Sequence, residues 1–321
     1  IQLAQAAAAR LLEEQEGARL AAEAQAARIA KEAEEAAQQS AAINSAQMAV
    51  QDARAALEGM DWMAVSRALE KGETAALLKV QERFDFNENA IDRLPFHNSR
   101  HTKDVVRRTD AILAAIQEAR PDLVDSKQRS LGRFAGAYHD TVQNYEEDRL
   151  QDSEQEKVRR KRFTVKNEAA SADEATDFMR KINDEAGAEI FTKMDMDVVR
   201  HAIDTTVPGF DPEKGTVIQP NLKEQSSIIE RAVALADLGA AGMDGPDKYI
   251  VEGRNVFREE NLDILRAFEG LEKDTDPEKE LPPDKVEYFK KRMLGWSASQ
   301  VRFAEGRKAK LEDELNGLPE D

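Results

Sequence analysis

The chain has 321 residues, 41 % of them apolar, enough for one large buried core with an extension or for two modest domains. A formal net charge of −17 opposes unassisted binding to nucleic acid or anionic lipid, so neither nucleic acid nor membrane is an expected partner. Without cysteine there is no disulfide and no thiolate metal site, and no apolar stretch is long enough to span a bilayer. No signal-peptide pattern is present, which makes the cytoplasm the expected compartment, and the start at Ile1 reads as that of an excised fragment.

Residues 1–58 are rich in Ala, Glu, Gln and Arg and contain no Pro. High helix propensity and i,i+4 charge pairs predict a long exposed helix, a stalk or linker. Leu12, Leu20 and Ile29 are too widely spaced for a firm heptad seam, which leaves a homodimer through this helix as the alternative. Residues 59–321 read as a second, all-α domain. In NSRHTKDVVRRTDAILAAI, Val105, Ile112, Leu113 and Ile116 share a face behind the candidate cap Asn98. In SLGRFAGAYHDTVQNY a second stripe holds Leu131, Phe134, Ala135, Tyr138, Val142 and Tyr145. A polar, charge-dense break follows from Glu146 to Asn167. Its basic run Arg159–Arg162 reads first as a surface loop, and second as a lid whose guanidinium groups clamp a phosphate. Helical patterning returns through SADEATDFMRKINDEAG, DMDVVRHAIDTT and SSIIERAVALADLG, with VPGFDPEKGTVIQPN and EKDTDPEKELPPD as loops. The last helix runs from about Lys285 to Leu315. Strand-like alternation is nearly absent.

Three of the four histidines fall in two short motifs, FHNSRH (His97, His101) and YHD (His139, Asp140). His101 lies four residues before Val105 and so points inward, where an imidazole needs a hydrogen-bond partner or a metal. His139 and Asp140 are adjacent in an apolar helix, where a carboxylate is costly unless paired or metal-bound. Asp237 interrupts the apolar AVALADLG, again on the core side. Each alone is compatible with an ordinary buried polar residue. Together, two imidazoles and two carboxylates from three helices suit a divalent transition metal, Zn, Fe or Mn. His201 reads as structural and Trp296 as a core or interface anchor. GAAGMDG lacks the strand and the Lys-Ser/Thr of a phosphate-binding loop.

His101, the His139-Asp140 pair and Asp237 resemble, in that order, the H…HD…D signature of the HD superfamily of metal-dependent phosphohydrolases. FHNSRH is similar to the HNxxH motif of its cyclic nucleotide phosphodiesterase branch, and Ala236-Asp237-Leu238 to that branch's ADL. Ser299-Gln300-Val301-Arg302-Phe303 resembles its QxxF element. The likeness covers residues 85–310 and implies a multi-helix HD/PDEase-like fold with a long N-terminal helical extension. It implies a first metal on His101, His139, Asp140 and Asp237, and a second ion, Mg or Mn, bridged by Asp140. A metal-bound hydroxide would attack the phosphorus of a phosphate ester, a phosphodiester or cyclic nucleotide foremost. His97 would be the general acid, with Gln300 and Phe303 on the base and Arg162 and Glu168 as further substrate contacts. Two departures stand out: Gln143 replaces the second His of HDxxH, and NEAAS (167–171) replaces a His-rich segment. The rival expectations are a nucleotide phosphomonoesterase or triphosphohydrolase, and a non-catalytic helical sensor or scaffold retaining the metal site.

Overall fold

A computed structural model describes residues 31, 62–151, 156–269, 280–315 and 318. The chain divides into two units, Ile1–Trp62 and Met63–Asp321. Apart from residue 31, the predicted N-terminal stalk and its dimer seam lie outside the described residues, as does much of the loop before the last helix.

The described part is mostly helical. Helix α1 (Trp62–Val80) runs into a wide turn at Gln81–Asp85 and a short 3-10 turn at Ala90–Asp92. Then come α2 (Ser99–Ala119), α3 (Ser126–Tyr138), the hairpin β1 (Tyr145–Gln151) and β2 (Glu156–Arg162), and α4 (Lys166–Ala186). Helix α5 (Lys193–Asp204), the hairpin β3 (Gly209–Asp211) and β4 (Thr216–Ile218), and α6 (Ile228–Asp237) follow. The chain closes with α7 (Pro246–Glu260), α8 (Leu262–Glu269) and α9 (Pro283–Leu315).

Local signals set the helix starts. The side chain of Asn98 accepts the backbone N–H groups of Arg100 and His101, so the expected cap does cap α2. Asp125 with Gln128, and Thr192 with Asp195, form reciprocal capping boxes on α3 and α5. Helix α4 ends on Gly187 at φ 62, a left-handed position that glycine adopts without steric cost.

The core lies where α2, α3, α5 and α6 pack together, with α4 against α3 and α5. Val105, Leu113, Phe134, Met179, Val199, Ile203 and Val233 are completely buried there. Helices α2 and α3 approach closely because Gly132 and Gly136 present no side chain to the contact. A Cβ at Gly132 would meet Leu113 Cδ1 at 2.5 Å, and one at Gly136 would meet Thr109 and Val105. Gly132 against Leu113 and Gly136 against Val105 make the pair antiparallel. The C-terminus of α3 therefore arrives beside the N-terminus of α2.

Two expectations need correction. The break after Glu146 is the hairpin β1–β2, and the loop from Val207 to Asn221 contains the hairpin β3–β4. In the first, charge alternates rather than hydrophobicity: Glu146 stands opposite Lys161, Glu147 opposite Arg160 and Asp148 opposite Arg159. Val158 and Arg160 alone of β2 are buried, Val158 against Leu262 and Leu265 of α8. Helix α7 meets α9 through Phe257, Tyr288 and Phe289, with Trp296 packed on that cluster and donating to the Gly253 carbonyl at 3.0 Å. Trp296 is thus the anchor expected of it. No described helix is long and apolar enough to cross a membrane.

Candidate metal centre

The antiparallel α2–α3 contact, closed by the end of α6, brings the four expected ligands together. His101, in the first turn of α2, is 3 % exposed, His139 1 % and Asp140 5 %. Helix α3 stops at Tyr138, so the sequence expectation of both motif residues inside the helix is corrected. His139 closes the helix with its N–H on the Ala135 carbonyl, and Asp140 sits in the turn beyond. That break matters, because adjacent side chains on a continuous helix diverge by about 100°. Asp237 is the last residue of α6.

The imidazole Nε2 atoms of His101 and His139 are 3.4 Å apart. His101 Nε2 lies 3.2 Å from Asp237 Oδ1 and 3.5 Å from Asp140 Oδ2. His139 Nε2 lies 3.0 Å from Asp140 Oδ2 and 3.6 Å from Asp237 Oδ1. His101, His139 and Asp237 each bring one ligand atom within 4.8 Å of the others, and Asp140 joins through its contacts with both imidazoles. Ligands about 2.1 Å from a shared ion are separated by about 3.0 Å along an octahedral edge and about 3.4 Å along a tetrahedral one. The observed separations of 3.0 to 3.6 Å start at the octahedral value and exceed the tetrahedral one by at most about 0.2 Å.

Protonation chemistry agrees with the geometry. His139 Nδ1 donates to the Gly136 carbonyl at 2.7 Å, which turns the Nε2 position toward the cluster. Two Nε2 lone pairs facing each other at 3.4 Å repel unless a proton or a cation intervenes. Burial by itself lowers both imidazole pKa values, but the hydrogen bonds and charges of Asp140 and Asp237 prevail and raise them. Burial pushes the Asp140 and Asp237 carboxyls up, and the histidines outweigh it, holding both well below the carboxylate range. The cluster is thus arranged for added positive charge, and a divalent cation replaces two protons without changing the total. Gln219 also faces Asp237, with Nε2 3.4 Å from Oδ2 and 2.9 Å from the Ala234 carbonyl.

His97 precedes the first turn of α2. Its Nδ1 meets Glu259 Oε1 in a short hydrogen bond. The other oxygen of Glu259 accepts the backbone N–H groups of Phe96 at 2.8 Å and His97 at 3.0 Å. Burial raises the Glu259 pKa, but the His97 charge and hydrogen bonds and the two backbone donors bring it down to about 2. Arg162 Nη1 lies 2.9 Å from His97 Nε2. A guanidinium can only donate, so Nε2 must accept in this contact, and it can carry a proton only when Arg162 turns away.

The basic run is not a surface loop. Arg160 is buried on Tyr145, with its guanidinium 4.1 Å from the ring centroid and hydrogen bonds to the Glu259 and Ile91 carbonyls. Arg162 points into the centre, 3.7 Å from Asp140 Oδ1 and 3.5 Å from Glu168 Oε1. Glu168 is 2 % exposed, and its pKa is raised by burial against the opposing charge of Arg162. Between them Val165 adopts φ 71, ψ −48, a strained conformation for a β-branched residue that reverses the chain from β2 into α4. Gln143 donates to Asp140 Oδ1 at 2.6 Å.

Gln300 and Phe303 do not join this group. Tyr249 Oη of α7 donates to the Gln300 carbonyl and side chain, and Phe303 stacks on the Tyr249 ring at 6.1 Å. Along α7, Tyr249 is ten residues from Glu259, about 15 Å at helical rise. His201 is exposed on α5. A cleft of about 450 Å³ lined by Arg83, Asn87, Thr141, Tyr145 and Glu174 touches the centre only through Gln143.

Glu259 and Gln219 escape sequence reasoning. The one signal for Glu259 is an acidic residue in the last turn of a helix, where the macrodipole disfavours it. Gln219 carries none. Comparison with protein-family models, with curated proteins and with solved structures yields no match for this chain.

Proposed function

We propose that this chain is a metal-dependent phosphohydrolase of the HD type, cleaving a phosphate ester, with a phosphodiester as the leading substrate class. One observation carries the reading: two buried imidazole nitrogens and carboxylate oxygens converge at coordination-polyhedron spacing, next to a histidine held by a buried carboxylate. His101, His139, Asp140 and Asp237 would hold the ion, with Zn, Fe or Mn best suited to the mixed nitrogen and oxygen set. A divalent cation there supplies Lewis acidity toward a phosphoryl oxygen and toward the attacking water.

The chain's own residues supply the rest. Glu259 fixes the ring orientation of His97 through the short hydrogen bond at Nδ1. Once Arg162 turns from it to the phosphoryl group, His97 Nε2 is free to take up a proton from solvent and to deliver it to the departing oxygen. Arg162, with five donors and a fixed charge, matches phosphate oxygens in forked geometry.

Bis-p-nitrophenyl phosphate, p-nitrophenyl phosphate, 3′,5′-cyclic nucleotides and nucleoside triphosphates, each offered to Mn²⁺-loaded protein, test the reading. The diesters should turn over fastest. Preference for the monoester or the triphosphate would move the assignment to a nucleotide phosphomonoesterase or triphosphohydrolase. Inertness toward all four at full metal occupancy would leave a sensor or scaffold.

A further inference from the structure

The resemblance implies two ions, and the donor set around Asp140 does not fit the second. Asp140 Oδ2 faces the two imidazoles. Oδ1 is the oxygen left to bridge outward, and two donors already face it: Gln143 Nε2 at 2.6 Å and Arg162 Nη2 at 3.7 Å. Only the NH₂ end of an amide can approach a carboxylate so closely, so Gln143 offers Asp140 a hydrogen where a second cation needs a lone pair. Glu168, the other carboxylate on that side, faces Arg162 Nη2 through Oε1. One of the two positive charges a second ion would bring is therefore already in place, fixed to the chain. A guanidinium cannot shed its proton to make room.

Arg162 is held there by the fold. It ends β2 opposite Tyr145, the next residue hydrogen-bonds the Asn144 carbonyl, and the strained turn at Val165 then delivers Glu168 to the same guanidinium. Its Nε is a buried donor without a protein acceptor, and Glu168 Oε2 and Gln143 Oε1 are buried acceptors without a donor. Unsatisfied polar atoms concentrated at one edge of the ligand cluster mark a place for a polar ligand.

We propose that the centre is mononuclear, with Arg162 in the place of a second ion and serving as the cationic partner of a phosphoryl group bound to the single metal. The proposal rests on the metal-centre reading above, and its test separates the two. Metal-stripped full-length chain is titrated with MnCl₂, bound metal is counted by elemental analysis, and the electron paramagnetic resonance spectrum is recorded. The wild type should hold one equivalent and give the six-line signal of an isolated ion. The double variant Gln143→His/Arg162→Met, which restores a lone pair and removes the fixed charge, should hold two and show exchange coupling. Two coupled ions in the wild type would overturn this proposal and leave the metal centre standing. No bound ion in the wild type would overturn both. Neither wild-type outcome depends on the variant's folding. Inorganic phosphate titrated calorimetrically into Mn²⁺-loaded protein tests the role of the arginine. Arg162→Met should weaken phosphate binding at least tenfold, and unchanged affinity would overturn that role.

Discussion

Replacing Glu259 by Gln keeps the shape of the side chain and removes its charge. The buried carboxylate accepts two backbone N–H groups and the His97 ring, and its pKa falls from an ordinary 4.5 to about 2. At about 1.36 kcal/mol per pKa unit, ionised Glu259 contributes about 3 kcal/mol to stability at neutral pH. The sign follows from a depressed folded-state value: the contribution is complete above about pH 4.5 and is lost as pH falls toward about 2. Gln imitates the protonated acid, so Glu259→Gln should lose about 3 kcal/mol at pH 7 and much less near pH 2. It also frustrates the local network. With its NH₂ toward His97, the imidazole must accept at Nδ1 and donate at Nε2, where Arg162 already donates. Urea unfolding followed by circular dichroism at several pH values measures the difference. A loss below about 1 kcal/mol at pH 7, or an acid dependence identical to the wild type, would refute the argument.

Other consequences are equally direct. Asp140→Ala should abolish both metal binding and turnover, whereas His97→Ala should retain the metal and lose about 100-fold or more in rate, most with poor leaving groups; elemental analysis and kinetics separate the two. Because the carboxylates raise the pKa values of His101 and His139, metal must displace protons from both. Apparent metal affinity should therefore rise with pH, by up to about 100-fold per unit while both are protonated, and a pH-independent affinity would contradict this. Val165→Gly relieves a strained φ of 71° at some entropic cost, for a net gain of about 1 kcal/mol and a rise of a few degrees in Tm by calorimetry.

The candidate ligands were legible in the sequence, and their surroundings much less so. His101 declared itself by its spacing to Val105, and His139, Asp140 and Asp237 by being polar in apolar segments. Asn98 as a cap, and the helices α2, α4, α5, α6 and α9, followed from periodicity and capping chemistry. The β1–β2 hairpin did not, because its strands pair by charge and present almost no apolar face to read. That omission left Arg162 a candidate substrate contact without a position, which the hairpin supplies by folding it over Asp140. Glu259 comes from a helix 162 residues downstream of His97, and nothing in its neighbourhood announces the pairing. Gln300 and Phe303 share a helix face as expected, but that face packs on Tyr249 rather than on the ligands.

The central claim is that His101, His139, Asp140 and Asp237 hold an ion that the hydrolytic reaction requires. The most direct measurement is the rate of bis-p-nitrophenyl phosphate hydrolysis by chelator-stripped protein as Mn²⁺ is added back in known equivalents, with Asp237→Asn in parallel. The rate should be negligible without metal, rise in proportion to bound ion until the centre is filled, and stay at background in the variant. Hydrolysis that ignores bound metal, or survives unchanged in Asp237→Asn, would contradict the claim.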